Sequence, residues 1–562
     1  MKTFLLKRHY KLILAFIAFI AFMVLLVTFL GSQQIIAYTN KQQIETELCV
    51  TCYENDIDIF DDTVVHEIQI LTNDDTYDTM IETFKKTGGK EYFSVNVMID
   101  GVLVENVGLR LKGNASLSTV LGGAMGGFGG GDRGGEDDGF APPAFGKDGE
   151  MPDFEDFQFP EGFEPTQEFT DAMSGSGSMM DTFGDMGDGG KEDVPYLLKF
   201  DEFVEGQCYQ SYAEIAVRTS GIMANASMLH EPITNYAISS LGIPISETSY
   251  AGVQLTQDSE PIMYVLAQQV DQIFIDEYFP DSDGVLYKIS QVGNDFSYLG
   301  DDPTLYADIF SQETNINDAD YTPLIKFMKF VTEASDEEFA ENLSDYFDVV
   351  AFADYLVIHN MLANNDSLAG MGNNYYLYYD FGTEIFTILT WDTNESLGKL
   401  SGGMGGGGMF GGENGTGSVS GAETDIYWEN SGDFGKFFEQ FEEDSEGEEI
   451  NDDFMLEMDD EKGDKMGMGS HLLKERFLET SDFLELYEER YKFIYEQLFE
   501  TGILTEKVDE YSDMLTKYNF ENELFDQNAY DDAVQVVLDF FEARYEYLQE
   551  TKLLSGRCRS EE

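Results

Sequence analysis

Hydrophobic positions along the chain follow two periods. Tyr92–Met98 and Gly108–Lys112 alternate apolar and polar residues, as half-buried strands do. They flank Asp100-Gly101, a dipeptide suited to a tight hairpin. Val194–Phe200 is a third predicted strand, and Tyr250–Leu255 with Pro261–Gln269 a second hairpin, followed by a helix near Asp271. Met228–Ser240 has helical spacing that Gly242 and Pro244 stop. Gly284–Ile289 reads as a strand and Tyr321–Ala363 as helical. A last β pair, Tyr375–Asp380 and Ile385–Thr390, precedes helical stretches at His471–Phe499 and Lys507–Thr551. Strands early and helices late predict an α+β protein, with a small sheet-based lobe before a larger helical one.

Three segments break this pattern. Leu12–Leu30 carries no charge over 19 residues, close to the ~20 that a helix needs to cross a bilayer. Lys2, Lys7, Arg8 and Lys11 precede it and only Lys41 follows closely. The asymmetry predicts a signal-anchor over 1–31, with the N-terminus cytoplasmic and the main domain extracytoplasmic, held to the cell membrane by one helix. Leu121–Asp193 and Ser401–Ser470 are low-complexity stretches rich in Gly, Met and acids. Glu439–Asp464 alone holds 14 acids against one lysine. Neither stretch has apolar residues enough to offset ordering entropy, so both read as mobile loops. The resulting plan is an anchor at 1–31, a juxtamembrane linker at 32–59, a main domain at 60–500 with insertions 121–193 and 401–470, and C-terminal helices at 501–562.

Charge narrows the function classes. Lys and Arg number 32 against 108 Asp and Glu, a net charge of −76. Such a surface repels phosphate backbones, so no nucleic-acid partner is expected, and it disfavours anionic lipid headgroups. Four cysteines, Cys49, Cys52, Cys208 and Cys558, are too few for a disulfide scaffold. The Cys49–Cys52 pair reads as part of a local or long-range disulfide beside the membrane.

The chemistry concentrates between Asn364 and Asp392. A helix over Val349–Ala363 ends in a polar loop holding Asp366, and Asn374 opens the strand from Tyr375. The returning strand ends at Trp391-Asp392, so the hairpin brings Asn374 and Asp392 to one end. One acid to orient a hydroxyl, with an amide and a second acid to hold Mg²⁺, is what phosphoryl transfer requires. Lys112 and Lys199 sit in apolar strands, where an unpaired cation is costly, and such a cation can reach phosphate oxygens.

These residues fall in an ordered series of motifs. It runs Gly108-Leu-Arg-Leu-Lys112-Gly-Asn-Ala-Ser116, Pro195-Tyr-Leu-Leu-Lys199-Phe-Asp201, Met228-Leu-His-Glu231, Leu241-Gly-Ile-Pro244 and Met263-Tyr-Val-Leu-Ala-Gln268-Gln-Val-Asp271. It continues through Gly284-Val-Leu-Tyr-Lys288, Asn364-Asn-Asp366, Asn374-Tyr-Tyr-Leu-Tyr378 and Trp391-Asp392. The series resembles the CotH kinase family, named for spore coat protein H. The resemblance implies a distant protein-kinase-like two-lobed fold, with a sheet-rich N-lobe and a helical C-lobe. It implies ATP- and Mg-dependent transfer to Ser/Thr hydroxyls of surface, secreted or spore-coat-type proteins. It makes Asp366 the catalytic aspartate, and Asn374 and Asp392 the metal side. Lys112 and Lys199 become phosphate-side cations, Gln268 a partner to lysine or metal, and Trp391 a lining of the nucleotide pocket.

The chain departs from the family at three places. Gln268 stands where the family usually has Glu. Asn394 replaces the second acid of Trp-Asp-x-Asp. Ser367–Gly372 lengthens the loop, leaving Asn373 or Asn374 open as the metal-side amide. Fewer carboxylates weaken Mg²⁺ binding. The competing reading is a catalytically weak, membrane-anchored surface scaffold that binds partners or divalent cations through its acidic Gly/Met-rich loops.

Overall fold

A computed structural model describes residues 50–72, 74–113, 194–219, 227–256, 259–280, 282–316, 319–399 and 471–551. The anchor expected at 1–31 and the insertions expected at 121–193 and 401–470 lie outside the described residues, as do Cys49 and Cys558. Among the described residues no helix is long and apolar enough to cross a membrane.

The described strands are, in chain order, β1 (Thr51–Tyr53), β2 (Val65–Leu71), β3 (Phe93–Ile99), β4 (Val102–Leu111), β5 (Tyr196–Lys199), β6 (Gln207–Tyr209) and β7 (Glu214–Arg218). They continue as β8 (Thr248–Gln254), β9 (Ile262–Gln268), β10 (Gly284–Ile289), β11 (Phe310–Gln312), β12 (Tyr375–Asp380) and β13 (Phe386–Thr390). A barrel closes in the order β2-β3-β4-β5-β7-β9-β8, with β8 returning to β2 in parallel and every other neighbour antiparallel. The β3–β4 turn is the expected Asp100-Gly101, both at positive φ (46° and 81°), which matches the right-handed twist of the flanking strands. The sequence reading missed β1, β2, β6, β7, β11 and the closure. β1, β6 and β11 are three residues each, too short to show a period; β2 does alternate over Val65–Leu71 but was passed over, and closure depends on pairings far apart in sequence.

Alternation along each strand builds three cores. Within the barrel, Leu109 and Leu111 of β4, Ile215 and Val217 of β7, and Tyr264 and Leu266 of β9 point inward. The intervening residues of β8 and β9, Tyr250, Met263 and Val265, pack instead into a second, helical core. Both faces of these strands are therefore buried, and they form the wall between the two cores. A four-stranded sheet, β11-β10-β12-β13, gives one face to the helical core through Tyr287, Leu377 and Ile388. Its other face carries Leu286, Tyr376, Tyr378, Leu389 and Trp391 under the helix Gln272–Tyr278, whose N-cap is Asp271.

The helices that pack the second core include Val349–Met361, buried nearly all round, and His230–Ser240, wedged between β8 and the segment after β13. The C-terminal helices Ile503–Asn522 and Gln527–Glu550 add Leu515, Val537 and Phe541 to that core. A two-stranded parallel pair, β1 with β6, sets Cys52 opposite Cys208. Cys52 is a free thiol, so no Cys49–Cys52 bridge forms, whereas Cys208 is disulfide-bonded.

Candidate functional site

The β12–β13 hairpin does what its spacing predicted. Tyr375 pairs with Thr390, so Asn374 and Trp391-Asp392 emerge at one end, and the Trp391 amide donates to the Asn374 carbonyl at 3.3 Å. Asn374 and Asp392 both hold left-handed backbone, φ 52° and 55°, as does Ala363 at 47° where the helix Val349–Met361 gives way to the loop. Asn and Asp tolerate this region better than other residues, and its recurrence here turns three chain segments toward one place.

Asp366 meets both candidate amides. Asn373 Nδ2 donates to its Oδ1 at 3.1 Å and Asn374 Nδ2 to its Oδ2 at 2.8 Å. Both amides therefore lie at Asp366. Burial pushes the Asp366 carboxyl up to about 7, the charges of Asp392 and Glu395 add to the push, and the two amides oppose it. The loop itself is tightly braced. Gly370 and Gly372 amides donate to the Ser367 carbonyl, Met371 to the Asn365 carbonyl, and Leu368 to the Tyr355 hydroxyl. A Cβ on Gly370 would lie 2.0 Å from the Asn365 carbonyl oxygen, so only glycine fits.

Beside these acids lies a cationic floor, its Arg218 buried and its Lys112 and Lys288 half-buried. Around the Trp391 ring, Arg218 Cζ lies 4.8 Å, Lys288 Nζ 5.4 Å and Lys112 Nζ 5.5 Å from the centroid. Parity places them. Arg218 follows inward-facing Val217 on β7, Lys112 follows inward-facing Leu111, and Lys288 shares the Leu286 face of β10. Burial, with repulsion from Lys288 and Arg218, pulls the Lys112 ammonium down to about 7, and burial lowers Lys288 as well. Arg218 bridges two acids, donating to Glu231 Oε1 and, at 2.8 Å, to Asp392 Oδ1. Burial raises the Glu231 carboxyl while Arg218 opposes the rise. Beyond Asp392 the chain turns back, and Lys399 meets Glu395 at 3.5 Å, both nearly fully buried.

The structure thus brings together Asp366, Asn374, Asp392, Trp391 and Lys112. Two predicted members stand apart. Lys199 is committed to Glu214 at 2.7 Å and Asp201 at 2.9 Å, and both hold its ammonium above the usual range against burial. Gln268 has the inward parity of Tyr264 and Leu266 and bonds Glu277 and the Glu247 amide. Its neighbour Gln269, of opposite parity, accepts from Lys112 Nζ at 2.7 Å. Arg218, Glu231, Lys288 and Gln269 received no role from the sequence reading. The signal for the two cations was present: each sits in an apolar strand of a cation-poor chain, as Lys112 does.

The donor set can be set against a metal–nucleotide. Among the described residues, no group of three or more His, Cys, Asp or Glu gathers to hold a metal ion. Asp392 with the Asn374 amide supplies oxygen donors of the kind Mg²⁺ takes when phosphates and water complete its shell. Buried Arg218 with half-buried Lys112 and Lys288, set against Glu231 and Asp392, suits polyphosphate, so the residues fit a metal-bound nucleotide.

A closed barrel and a helical core that share the β8–β9 wall, with an acid-and-amide edge beside a group of cations, define a mixed α+β protein. The sequence model described as CotH kinase protein matches residues 195–548, more than half of the chain, and the chain belongs to that family. The match begins after β4, so Lys112 and the first three barrel strands lie outside it. No curated protein matches the chain.

Proposed function

We propose that the chain is an atypical protein kinase that moves the terminal phosphoryl group of ATP onto Ser/Thr hydroxyls. The barrel stands as the N-lobe and the helical core as the C-lobe of a distant kinase-like fold. The observation that carries this reading is the convergence of Asp366, tethered by Asn373 and Asn374, with Asp392 beside three cations grouped around Trp391.

In this reading Lys112, Arg218 and Lys288 bind the phosphates and shield their charge in a partly buried site, where each contact counts for more than in bulk water. Asp392 and the Asn374 side-chain oxygen hold Mg²⁺, which when bound neutralises charge on the phosphates. Asp366 orients the acceptor hydroxyl and takes its proton as the oxygen bonds phosphorus and the bond to ADP breaks. A carboxyl near 7 is matched to that task at neutral pH. Substrates are surface, secreted or spore-coat-type proteins, met by a domain held outside the cytoplasm by an anchor over 1–31.

One observation favours the scaffold instead. Arg218 already neutralises Asp392, and the site has few carboxylates for a metal. Calorimetry of the purified full-length chain with ATP, with and without Mg²⁺, separates the two, together with phosphate transfer to itself or to a Ser/Thr-rich protein. Mg²⁺-dependent binding with transfer supports the kinase; no binding of ATP in either condition refutes it.

A further inference from the structure

We propose that His359, fully buried on the helix Val349–Met361, is a positioning residue. It ties the Asp366 loop to the strand that delivers Asp392, and its proton sits on Nε2. The inference rests on the roles given above to Asp366 and Asp392. His359 Nε2 lies 3.1 Å from Thr390 Oγ1, and Nδ1 lies 3.1 Å from Asn364 Nδ2. Thr390 ends β13, two residues before Asp392, and Asn364 lies two residues before Asp366. The histidine is 1% exposed, and Asn364 is fully buried.

The tautomer follows from donor and acceptor bookkeeping along the chain. The Asp366 backbone N–H is a donor, and it points at Asn364 from 3.1 Å. The Asn364 atom that receives it must be the carbonyl oxygen, so the other terminus is the NH₂ group. That NH₂ donates to His359 Nδ1, which must therefore be bare. The ring proton is left on Nε2, where it donates to Thr390 Oγ1. Burial holds the imidazole far down, at about 3, so it stays neutral across the physiological range. One unbroken line thus runs from the Thr390 hydroxyl through His359 and Asn364 to the Asp366 amide. Its members are fixed in direction, so a change at either end moves the spacing between the two acids.

The test uses the full chain with ¹⁵N-labelled histidine, ¹⁵N-resolved imidazole spectra and His359→Gln to assign the signal. The expected wild-type spectrum is Nε2–H with bare Nδ1 from pH 5 to 8. Asn364→Asp replaces the NH₂ donor with an acceptor and is expected to move a proton onto Nδ1. Thr390→Val keeps shape, removes the acceptor and is expected to shift the Asp366 amide resonance. In phosphoryl transfer, His359→Gln and Thr390→Val are expected to lower kcat about 10–100-fold, the cost of a displacement of about 1 Å. KM for ATP is expected to change by less than about twofold, since phosphate contacts are untouched. A wild-type Nδ1–H tautomer, or an Asp366 amide and kcat unmoved in both variants, would overturn the assignment. If the wild type itself transfers no phosphate, the kinase reading falls, and this one is judged on the tautomer and the Asp366 amide alone.

Discussion

Asp366→Asn tests the electrostatics of the site without any assumption about its substrate. Burial raises the folded-state carboxyl from 3.8 to about 7, a rise of about three units, or roughly 4 kcal/mol at 1.36 per unit. The raised value sets the sign. Below pH 4 the carboxyl is protonated in both states and its full stabilising contribution is present. That contribution drains away as pH climbs through 7, because the folded state resists ionisation. Between pH 5 and pH 8 the linkage amounts to about 2.5 kcal/mol, and the part-exposed edge of Asp366 trims it to about 2. Asparagine has the same shape and cannot ionise. It loses one of two acceptors for Asn373 and Asn374, a fixed cost of about 1 kcal/mol at every pH. The informative quantity is therefore the change with pH. Relative to wild type, Asp366→Asn should gain about 2 kcal/mol from pH 5 to pH 8. The chain has two tryptophans, and Trp391 lies in the site, so Trp391 fluorescence in a Trp428→Phe background reports the unfolding. Urea titrations in EDTA without nucleotide, at several pH values, give the curves. Parallel curves for the two proteins, or a variant that loses ground as pH rises, would refute the burial argument.

Lys112→Met should act in the opposite window. The folded ammonium is depressed from 10.5 to about 7, so the wild type loses stability as pH falls toward 7; the variant should gain about 3–5 kcal/mol from pH 10.5 to 7 in the same titration, while nucleotide binding weakens. Arg218→Met strands buried Glu231 and should cost about 3–5 kcal/mol, read as a lowered Tm, with Glu231→Gln restoring part of it. Asp392→Asn should abolish Mg²⁺-dependent nucleotide binding in calorimetry, whereas Asp366→Asn should leave binding and lower turnover about 10²–10⁴-fold; equal binding losses would contradict the assigned roles. Gly370→Ala forces a Cβ against the Asn365 carbonyl, and should lower Tm and slow phosphate transfer together, with a cost of about 2 kcal/mol or more.

Period and turn chemistry made the hairpins legible. Asp100-Gly101 fixes one, and the alternation of Tyr375–Thr390 places Asn374 and Asp392 at one end. The Asp366 loop was legible for a similar reason, because a helix running to Ala363 has to hand its chain to a polar turn. The barrel was not. β2 and β8 pair in parallel across some 180 residues, and no local pattern encodes such a pairing. Gln268 shows how fine the limit is. The residue was chosen by its place in a motif, yet a strand sends successive side chains to opposite faces, so the contact with Lys112 fell to Gln269.

The cations show a second kind of blindness, and it bears on how this chain works. With a net charge of −76, whole-chain electrostatics argue against any anionic ligand. The structure separates surface from interior. Arg218 is buried and Lys112 and Lys288 are half-buried against Trp391, where water screens them less than at the surface and the acidic exterior does not define their field. Drawing them partly out of water is costly and repulsion among them adds to the cost, as the depressed Lys112 and Lys288 record. Glu231 and Asp392 offset part of that cost, both through Arg218. In the proposed kinase, an arriving polyphosphate would restore charge to Lys112 and compete with Asp392 for Arg218, freeing that carboxylate for the metal. Binding of the anion and readiness of the acid would then be one event, with the arginine that occupies Asp392 as the link between them.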